Sequence, residues 1–297
     1  MSSAQSLTDA EVPQVWQSLG LPGLADVHVH FLPPGMLAKV WRYFDDAERH
    51  YGMAWPVQYR DDERQRIDTL HTLGVRHFPT LCYPHKPGMA TWLNDWCADF
   101  AAEHPDAVHS ATFFPEPGAA LYVGEALERG ARIFKAHVQV GQFDPRDELL
   151  DEVWGLLSEA GVSVVVHCGS GPIPGSHTGP GPIGEVLARH PSLAAVIAHC
   201  GMPEYAEHLE LARTYRNVRL DTTMVGTPYI ERVAPLPTEV LDAYRSLADK
   251  IVLGTDFPNI PYSYATQIQS LVDWGFGDDW LRQVLWHNGA ELLGIGS

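Results

Sequence analysis

The chain alternates eight apolar, strand-like segments with amphipathic, helix-like segments along its 297 residues. Strands are predicted at 24–30, 74–82, 107–114, 131–140, 162–168, 194–200, 217–223 and 250–256. Regular alternation of strands and helices is typical of a parallel sheet built from βα units. Eight units favour closure into a (β/α)8 TIM barrel over an open doubly wound sheet, and the sequence has no glycine-rich dinucleotide fingerprint.

The length suits one domain, since barrels of this type run to about 250 residues or more as a single unit. We therefore predict one barrel domain over 1–297. Thr8-Asp9-Ala10-Glu11 has the pattern of a capping box and predicts an N-terminal helix over 8–19. A C-terminal helix is predicted over 278–293, after the eighth strand.

The first βα connection, 31–60, is the longest and is rich in aromatic residues. Loops at the carboxyl ends of barrel strands build active sites, so this segment is a candidate pocket wall or lid. The alternative is an insertion that packs its own aromatic side chains or forms a subunit contact. The sequence leaves both open.

The net charge and the cysteine content limit which classes of partner and which compartment we expect. The formal charge of −17 disfavours nucleic acids and anionic membrane surfaces. Neither a signal peptide nor a membrane-spanning segment is expected, since no apolar run approaches about 20 residues. The four cysteines lie far apart without a C-x-x-C pair, which favours reduced thiols in a cytoplasmic protein.

The first strand ends in His28-Val29-His30. Alternation along a strand places the two imidazoles on one face, and Val27 and Val29 on the other. Two histidines side by side at a strand end form half of a metal site. Their presence predicts a further histidine and a carboxylate at later strand ends.

Four later strands end in side chains of the required kind. They are Lys135 and His137 on the fourth, His167 on the fifth, His199 on the sixth and Asp256 on the eighth. Each residue alone could simply hydrogen-bond a loop or cap a helix. Their joint occurrence at the same end of a barrel indicates a functional site.

These motifs resemble those of the amidohydrolase superfamily, in particular the amidohydrolase-related branch that contains aminocarboxymuconate semialdehyde decarboxylase. The resemblance extends from Asp26 almost to the C-terminus. Its motifs are D-x-H-x-H at 26–30, V-H at 166–167, A-H-C-G at 198–201, G-T-D-F-P at 254–258 and N-x-A-x-x-L at 288–293.

The resemblance implies the ligands and their chemistry. His28, His30, His167 and Asp256 would bind one divalent ion, for which Zn²⁺ suits three imidazoles and a carboxylate, although Mn²⁺, Fe²⁺ and Co²⁺ have compatible ligand preferences. Asp256 would also accept a proton from the activated water. His199 would stay off the metal and act on water or substrate.

Lys135 permits two interpretations. Some superfamily members carry a carboxylated lysine at this place that bridges two metal ions. Alternatively, Lys135 and His137 bind a substrate carboxylate. We favour one ion over two, with both residues in substrate binding.

The predicted function is a metal-dependent hydrolase that uses activated water on an amide, ester or lactone of a small, carboxylated substrate. The alternative is a non-oxidative decarboxylase of an aromatic or muconate-like acid with the same ligands. A non-catalytic barrel that binds a small molecule is the third possibility. The resemblance is also compatible with a homodimer.

Overall fold

The structure, a computed structural model, describes residues 6–295. Its strands are β1 (Leu24–Ala25), β2 (Val75–Pro79), β3 (Ala107–Val108), β4 (Ser110–Thr112), β5 (Ile133–His137), β6 (Ser163–His167), β7 (Ala195–Ile197), β8 (Arg219–Asp221) and β9 (Ile251–Val252). All pairings between these strands are parallel, and each joins two strands that are consecutive in the chain. The strands β3 and β4 do not pair with each other; they follow one another as two pieces of one interrupted strand.

Backbone hydrogen bonds close the sheet between its first and last strands. Val27 N donates to Leu253 O at 2.9 Å, and His30 N donates to Phe257 O at 2.7 Å. Between them, Asp256 N donates to His28 O at 2.8 Å. The predicted (β/α)8 barrel is therefore confirmed, and its closure brings the first and last strand ends side by side.

Helices surround the barrel. Their bounds are α1 (Val12–Ser18), α2 (Pro34–Asp45), α3 (Ala47–Tyr51), α4 (Glu63–Leu73), α5 (Ala90–Glu103), α6 (Ala119–Glu128), α7 (Val138–Gly141), α8 (Glu148–Ala160), α9 (Pro180–Arg189), α10 (Tyr205–Thr214), α11 (Thr238–Arg245), α12 (Tyr264–Asp273), α13 (Asp278–Arg282) and α14 (Asn288–Leu292). A π-helical segment, Gln283–His287, joins α13 to α14, so the C-terminal helical region is continuous over 278–292. Among the described residues, no helix is long and apolar enough to cross a membrane.

Side-chain alternation divides the core into two layers. On β5 and β6, Ile133 and Val165 fill the barrel interior with other apolar side chains, whereas Phe134 and Val164 pack in the outer layer between sheet and helices. Lys135 and His167 follow two residues after these interior positions, and therefore project into the barrel above them. The lower interior is packed, and the polar side chains occupy the carboxyl end.

Three local predictions differ from the structure. Strand pairing of β1 ends at Ala25 with a register irregularity, and Val27 packs in the interior rather than opposite His28. The fourth predicted strand, 131–140, corresponds to β5 and ends earlier, at His137. The His137 ring accepts a hydrogen bond from Val140 N, and α7 begins there. Helix α12 lies between the last strand and the C-terminal helix, where we predicted none.

The N-terminal segment and the first connection both have helical structure. A short 3-10 turn (Asp9–Glu11) precedes α1 within the predicted helix 8–19. The connection 31–60 contains α2 and α3. It is thus an ordered helical element placed over the carboxyl end of the first strand.

Candidate active site

The polar strand-end residues meet at one buried site at the carboxyl end of the barrel. The side chains of Lys135 and His28 are almost fully buried, and Asp256, at 15% exposure, is the most accessible of the seven predicted site residues. The other four are His30, His137, His167 and His199. Solvent access to the site is therefore narrow, and Asp256 is the side chain that solvent reaches most easily.

Three of the predicted ligands converge. One donor atom each from His28, His30 and Asp256 lies within 4.8 Å of the others. Asp256 Oδ1 is 2.7 Å from His30 Nε2 and 3.6 Å from His28 Nε2. This group has the ligand types and the spacing of a first coordination shell.

Hydrogen bonds at Nδ1 fix both imidazoles with Nε2 toward Asp256. His30 Nδ1 lies 2.7 Å from Leu81 O, and since a carbonyl only accepts, Nδ1 holds the proton. His28 Nδ1 likewise donates to Asp221 Oδ2 at 2.9 Å. In the neutral rings, the Nε2 lone pairs then face the carboxylate, an arrangement that a bound cation stabilises. The residues present therefore fit a divalent metal ion.

Burial shifts the protonation equilibria of the site. It lowers the pKa of His28 to about 4, helped by the nearby charge of Lys135. Burial would raise the pKa of the Asp256 carboxyl, but the adjoining His30 and His28 outweigh it and lower that pKa below its ordinary value. His28 is therefore a neutral imidazole close to the ionised Asp256 carboxylate, and this is the state of these two residues that binds a metal.

His199 enters the site through an unusual turn. Its backbone has φ 55°, and Cys200 and Gly201 follow with φ 49° and 76°. The His199 ring lies edge-on to His28, with ring centroids 5.3 Å apart. Its buried Nδ1 has no hydrogen-bond partner among the described residues, so it is free to engage water or substrate.

His167 lies beside the three-donor group and is not part of it. Its ring stacks on His137 with centroids 4.1 Å apart, and its Nε2 donates to Gly171 O at 3.2 Å. Tyr83 completes this side of the site, with its ring 4.8 Å from His137 and 5.7 Å from His30. The sequence reasoning did not select Tyr83, which lies outside any strand.

Lys135 contacts the three-donor group of His28, His30 and Asp256 directly. Its Nζ lies 3.0 Å from His28 Nε2, and burial lowers the pKa of the amine to about 8. The lysine is thus in the same cavity as the predicted ligands. Its place agrees with both interpretations drawn from the sequence.

Comparison with known proteins identifies the family. The family model described as Amidohydrolase matches residues 25–295, nearly the whole chain. The chain belongs to the amidohydrolase family. Membership supports an enzyme, a hydrolase or a carboxy-lyase, over a barrel that only binds its ligand. No curated protein sequence matches this amidohydrolase.

Solved structures share its fold. An uncharacterized TIM-barrel protein from Bordetella bronchiseptica aligns with a TM-score of 0.71 at 20% identity, over 91% of this chain and 98% of that one. A 5-carboxyvanillate decarboxylase mutant from Novosphingobium aromaticivorans, with bound manganese, gives 0.61 at 14%, covering 93% and 98%. A probable 2-pyrone-4,6-dicarboxylic acid hydrolase from Acinetobacter baumannii, with bound citric acid, gives 0.61 at 14%, covering 92% and 100%.

Asp221 is the main residue of this amidohydrolase's site that sequence reasoning missed. It ends β8, is fully buried, and joins His28 to the backbone of His199, whose N donates to Asp221 Oδ1 at 2.8 Å. Thr223 N donates to the same oxygen at 3.1 Å. The pattern that identified the other site residues is a polar residue at the end of a predicted strand. The same pattern marks Asp221 in the seventh predicted strand, 217–223, which is β8 in the structure.

Gly254, two residues after β9, lets the chain approach the predicted ligands of the site. A Cβ at this position would lie 2.5 Å from Thr223 Oγ1 and 2.9 Å from His28 Cβ. We predict that Gly254→Ala displaces His28 and weakens binding of a divalent metal ion such as Zn²⁺ at least tenfold, because this predicted ligand must shift to make room. Competition with a chromophoric chelator measures this affinity.

Gly275→Ala is the matched control for Gly254→Ala, since Gly275 has no close side-chain neighbour at its Cβ position. Any stability loss there comes from backbone strain at φ 66°. Unchanged Zn²⁺ affinity in Gly254→Ala would show that the close packing does not set the position of His28.

Segment 31–60 of the amidohydrolase is tied to the loop that follows Asp256. Trp41 Nε1 donates to Asn259 Oδ1 at 3.1 Å, and Trp55 Nε1 donates to Asn259 O at 2.7 Å. The backbone of Gln58 donates to Ile260 O at 3.0 Å. The segment therefore packs against the loop at the active-site end, and its own aromatic rings also pack on one another, as Phe44 does on Trp55, so both interpretations stay open.

Proposed function

We propose that this amidohydrolase is a metal-dependent hydrolase acting on an amide, ester or lactone of a small, carboxylated substrate. The convergence of His28, His30 and Asp256, with both Nδ1 atoms already bonded, is the observation on which the proposal depends. One divalent ion, Zn²⁺ in our proposal, would be held there. It would polarise the scissile carbonyl and lower the pKa of water.

His167 is the fourth ligand in the proposal, although its Nε2 donates to Gly171 O. That hydrogen bond leaves the lone pair of the neutral ring at Nδ1. His167→Ala is therefore expected to weaken metal binding less than His30→Ala. Equal losses would give the two histidines the same rank as ligands.

Asp256 is proposed as the proton acceptor. It is the most accessible member of the group, so water can reach it, and its ionised form is favoured by the neighbouring histidines. His199, with an unpartnered Nδ1, would orient water or donate to the leaving group. Asp221 would hold both His28 and the His199 backbone during the reaction.

Substrate binding is assigned to Lys135 and His137. His137 Nδ1 accepts from Val140 N at 3.3 Å, so the neutral ring has its proton at Nε2 and can donate there. Lys135 supplies a buried positive charge on the same strand. Together they suit a carboxylate, and the stacked His137–His167 pair and Tyr83 offer flat surfaces for a planar substrate.

Metal removal tests the proposal. The purified protein is expected to contain one divalent ion per chain, to lose turnover on dialysis against a chelator, and to regain it with Zn²⁺. Metal analysis by mass spectrometry gives the count. Two ions per chain would instead favour the carboxylated form of Lys135, which intact mass under native conditions detects.

A substrate screen separates the two reactions. The panel contains lactones, amides and esters of dicarboxylic acids, together with carboxylated phenols. Acid release without CO₂ supports hydrolysis. The decarboxylase and the probable hydrolase among the solved neighbours make both reactions candidates, and CO₂ released from an aryl acid would establish the carboxy-lyase.

Location and assembly are part of the proposal. All four cysteines are free and buried, which is compatible with a reducing cytoplasm. A homodimer is proposed from the family resemblance, and sedimentation at micromolar concentration measures it.

A further inference from the structure

We propose that His208 is a positioning residue that clamps the two turns bearing His167 and His199, and thereby sets the metal affinity of the site. The inference rests on the proposed metal site but concerns a residue outside it. His208 lies on α10 and is fully buried.

The turn after β7 needs external support. His199, Cys200 and Gly201 all have positive φ, and for the first two this conformation is unfavourable. Such strain persists only where surrounding structure enforces it. Within the turn, Met202 N donates to His199 O at 3.0 Å, and Cys200 Sγ donates to Asp221 O at 3.1 Å.

His208 supports this turn from the side of the helical layer. A Cβ on Gly201 would lie only 2.1 Å from His208 Cγ, so the ring packs directly against the glycine backbone. His208 Nδ1 donates to Glu204 O at 2.8 Å, which fixes the ring on its own helix. The ring thus fills the space into which the turn would relax.

The same ring reaches the turn after β6. His208 Nε2 lies 3.8 Å from Cys168 Sγ, and because Nδ1 donates, Nε2 is the acceptor for that thiol. Glu204 Oε2 accepts from Ser170 N at 3.1 Å. The N-cap residue and first turn of α10 therefore contact residues that closely follow His167.

The two turns also contact each other without intervening side chains. A Cβ on Gly169 would lie 2.4 Å from Met202 O, and Gly171 N donates to Met202 O at 3.0 Å. A shift of either turn would therefore move the other. The His208 side chain touches both turns, at Gly201 and at Cys168, so its removal should disturb His167 and His199 together.

A structural histidine that merely fills the core is the competing explanation. It predicts that loss of His208 lowers stability but leaves the metal site unchanged once the protein is folded. Clamping predicts altered metal affinity and altered ligand geometry in the folded protein. Co²⁺ distinguishes the two, because its visible absorption reports the geometry of its ligands.

The test titrates Co²⁺ into the metal-stripped full-length chain and records both affinity and spectrum. His208→Ala is expected to weaken Co²⁺ binding about tenfold or more and to shift the visible bands, in the range found for residues that orient ligands. His208→Phe keeps a ring against Gly201 but loses both polar contacts, and we expect a loss of about threefold.

Leu211→Ala is the matched control. Leu211 is on the same helix, and its Cδ2 packs 3.4 Å from the Cβ position of Gly184 on α9, away from the two turns. It should lower the melting temperature and leave the Co²⁺ affinity within twofold. If His208→Ala does not fold, His208→Phe decides alone.

Wild-type affinity and spectrum in the folded His208 variants would overturn the clamp, as would an equal loss in Leu211→Ala. Failure of the wild-type chain to bind Co²⁺ would overturn the metal site as well as the clamp. Normal wild-type binding with unaffected variants would overturn the clamp alone.

Discussion

Asp256→Asn is expected to reduce turnover by about 10²- to 10⁴-fold, the usual contribution of a positioned acid–base group, while the barrel stays folded. The amide cannot accept a proton, and it is a much weaker metal ligand than a carboxylate. Metal content of the purified variant and turnover on the substrate found in the screen measure the two losses.

The fold should survive because Asn suits this position. Asp256 has φ 70°, in the left-handed region that Asn tolerates better than most residues. The Nδ2 group of the substituted asparagine can also donate to the neutral form of His30 at Nε2, the atom 2.7 Å from the native carboxylate. Asp256→Ala has neither advantage and should in addition lose about 1 kcal/mol of stability to backbone strain.

Comparison of the two Asp256 variants separates chemistry from folding. Equal loss of turnover with unequal unfolding free energy, measured in urea, would assign the effect to the carboxylate. A metal-replete Asp256→Asn protein with wild-type turnover would refute the role of Asp256 as base and ligand.

The sequence predicts the barrel because its information is local and repeated. Each βα unit has its own apolar run and helix, and closure follows from having eight of them. Site residues on regular strands follow the same logic, as at Lys135 and His167, where alternation with Ile133 and Val165 fixes the inward direction. These features need no knowledge of distant contacts.

The direction of a side chain that depends on contacts between distant parts of the chain could not be predicted from local patterns. Val196 on β7 and Ala198 directly after it both face the interior, so alternation would turn His199 outward. The left-handed turn reverses this, and it depends on Asp221, distant in sequence. Helix α12 was not predicted, since we placed a single helix, 278–293, after the eighth strand.

Asp221→Asn is the second change with a large expected effect, because this one carboxylate accepts hydrogen bonds from three donors. Its Oδ2 accepts from His28 Nδ1, and its Oδ1 accepts from the backbone of His199 and Thr223. Asn keeps an oxygen for the two backbone donors. The NH₂ group of the asparagine then faces His28 Nδ1. Since Nδ1 carries the proton in the native protein, two donors would point at each other.

His28 can satisfy this NH₂ group only by accepting at Nδ1, and its proton then moves to Nε2. That nitrogen faces Asp256, so the lone pair offered to the metal is lost unless the contact breaks. We expect metal affinity to fall by about 10- to 100-fold, with a loss of about 1.5–3 kcal/mol in unfolding free energy for the charged hydrogen bond.

Asp221→Ala should be worse for stability, since it leaves the buried N–H groups of His199 and Thr223 without a partner, at a loss of about 1–3 kcal/mol each, while His28 Nδ1 retains Thr223 Oγ1 at 3.1 Å. Asp95→Asn, which removes an exposed carboxylate 2.6 Å from Arg129, is the control and should change neither quantity by much. Competition titration with Zn²⁺ and urea unfolding measure both effects. If Asp221→Asn binds Zn²⁺ as tightly as wild type, the Asp221–His28 hydrogen bond does not control the ligand tautomer, and the metal site must draw its preorganisation from the strand backbone instead.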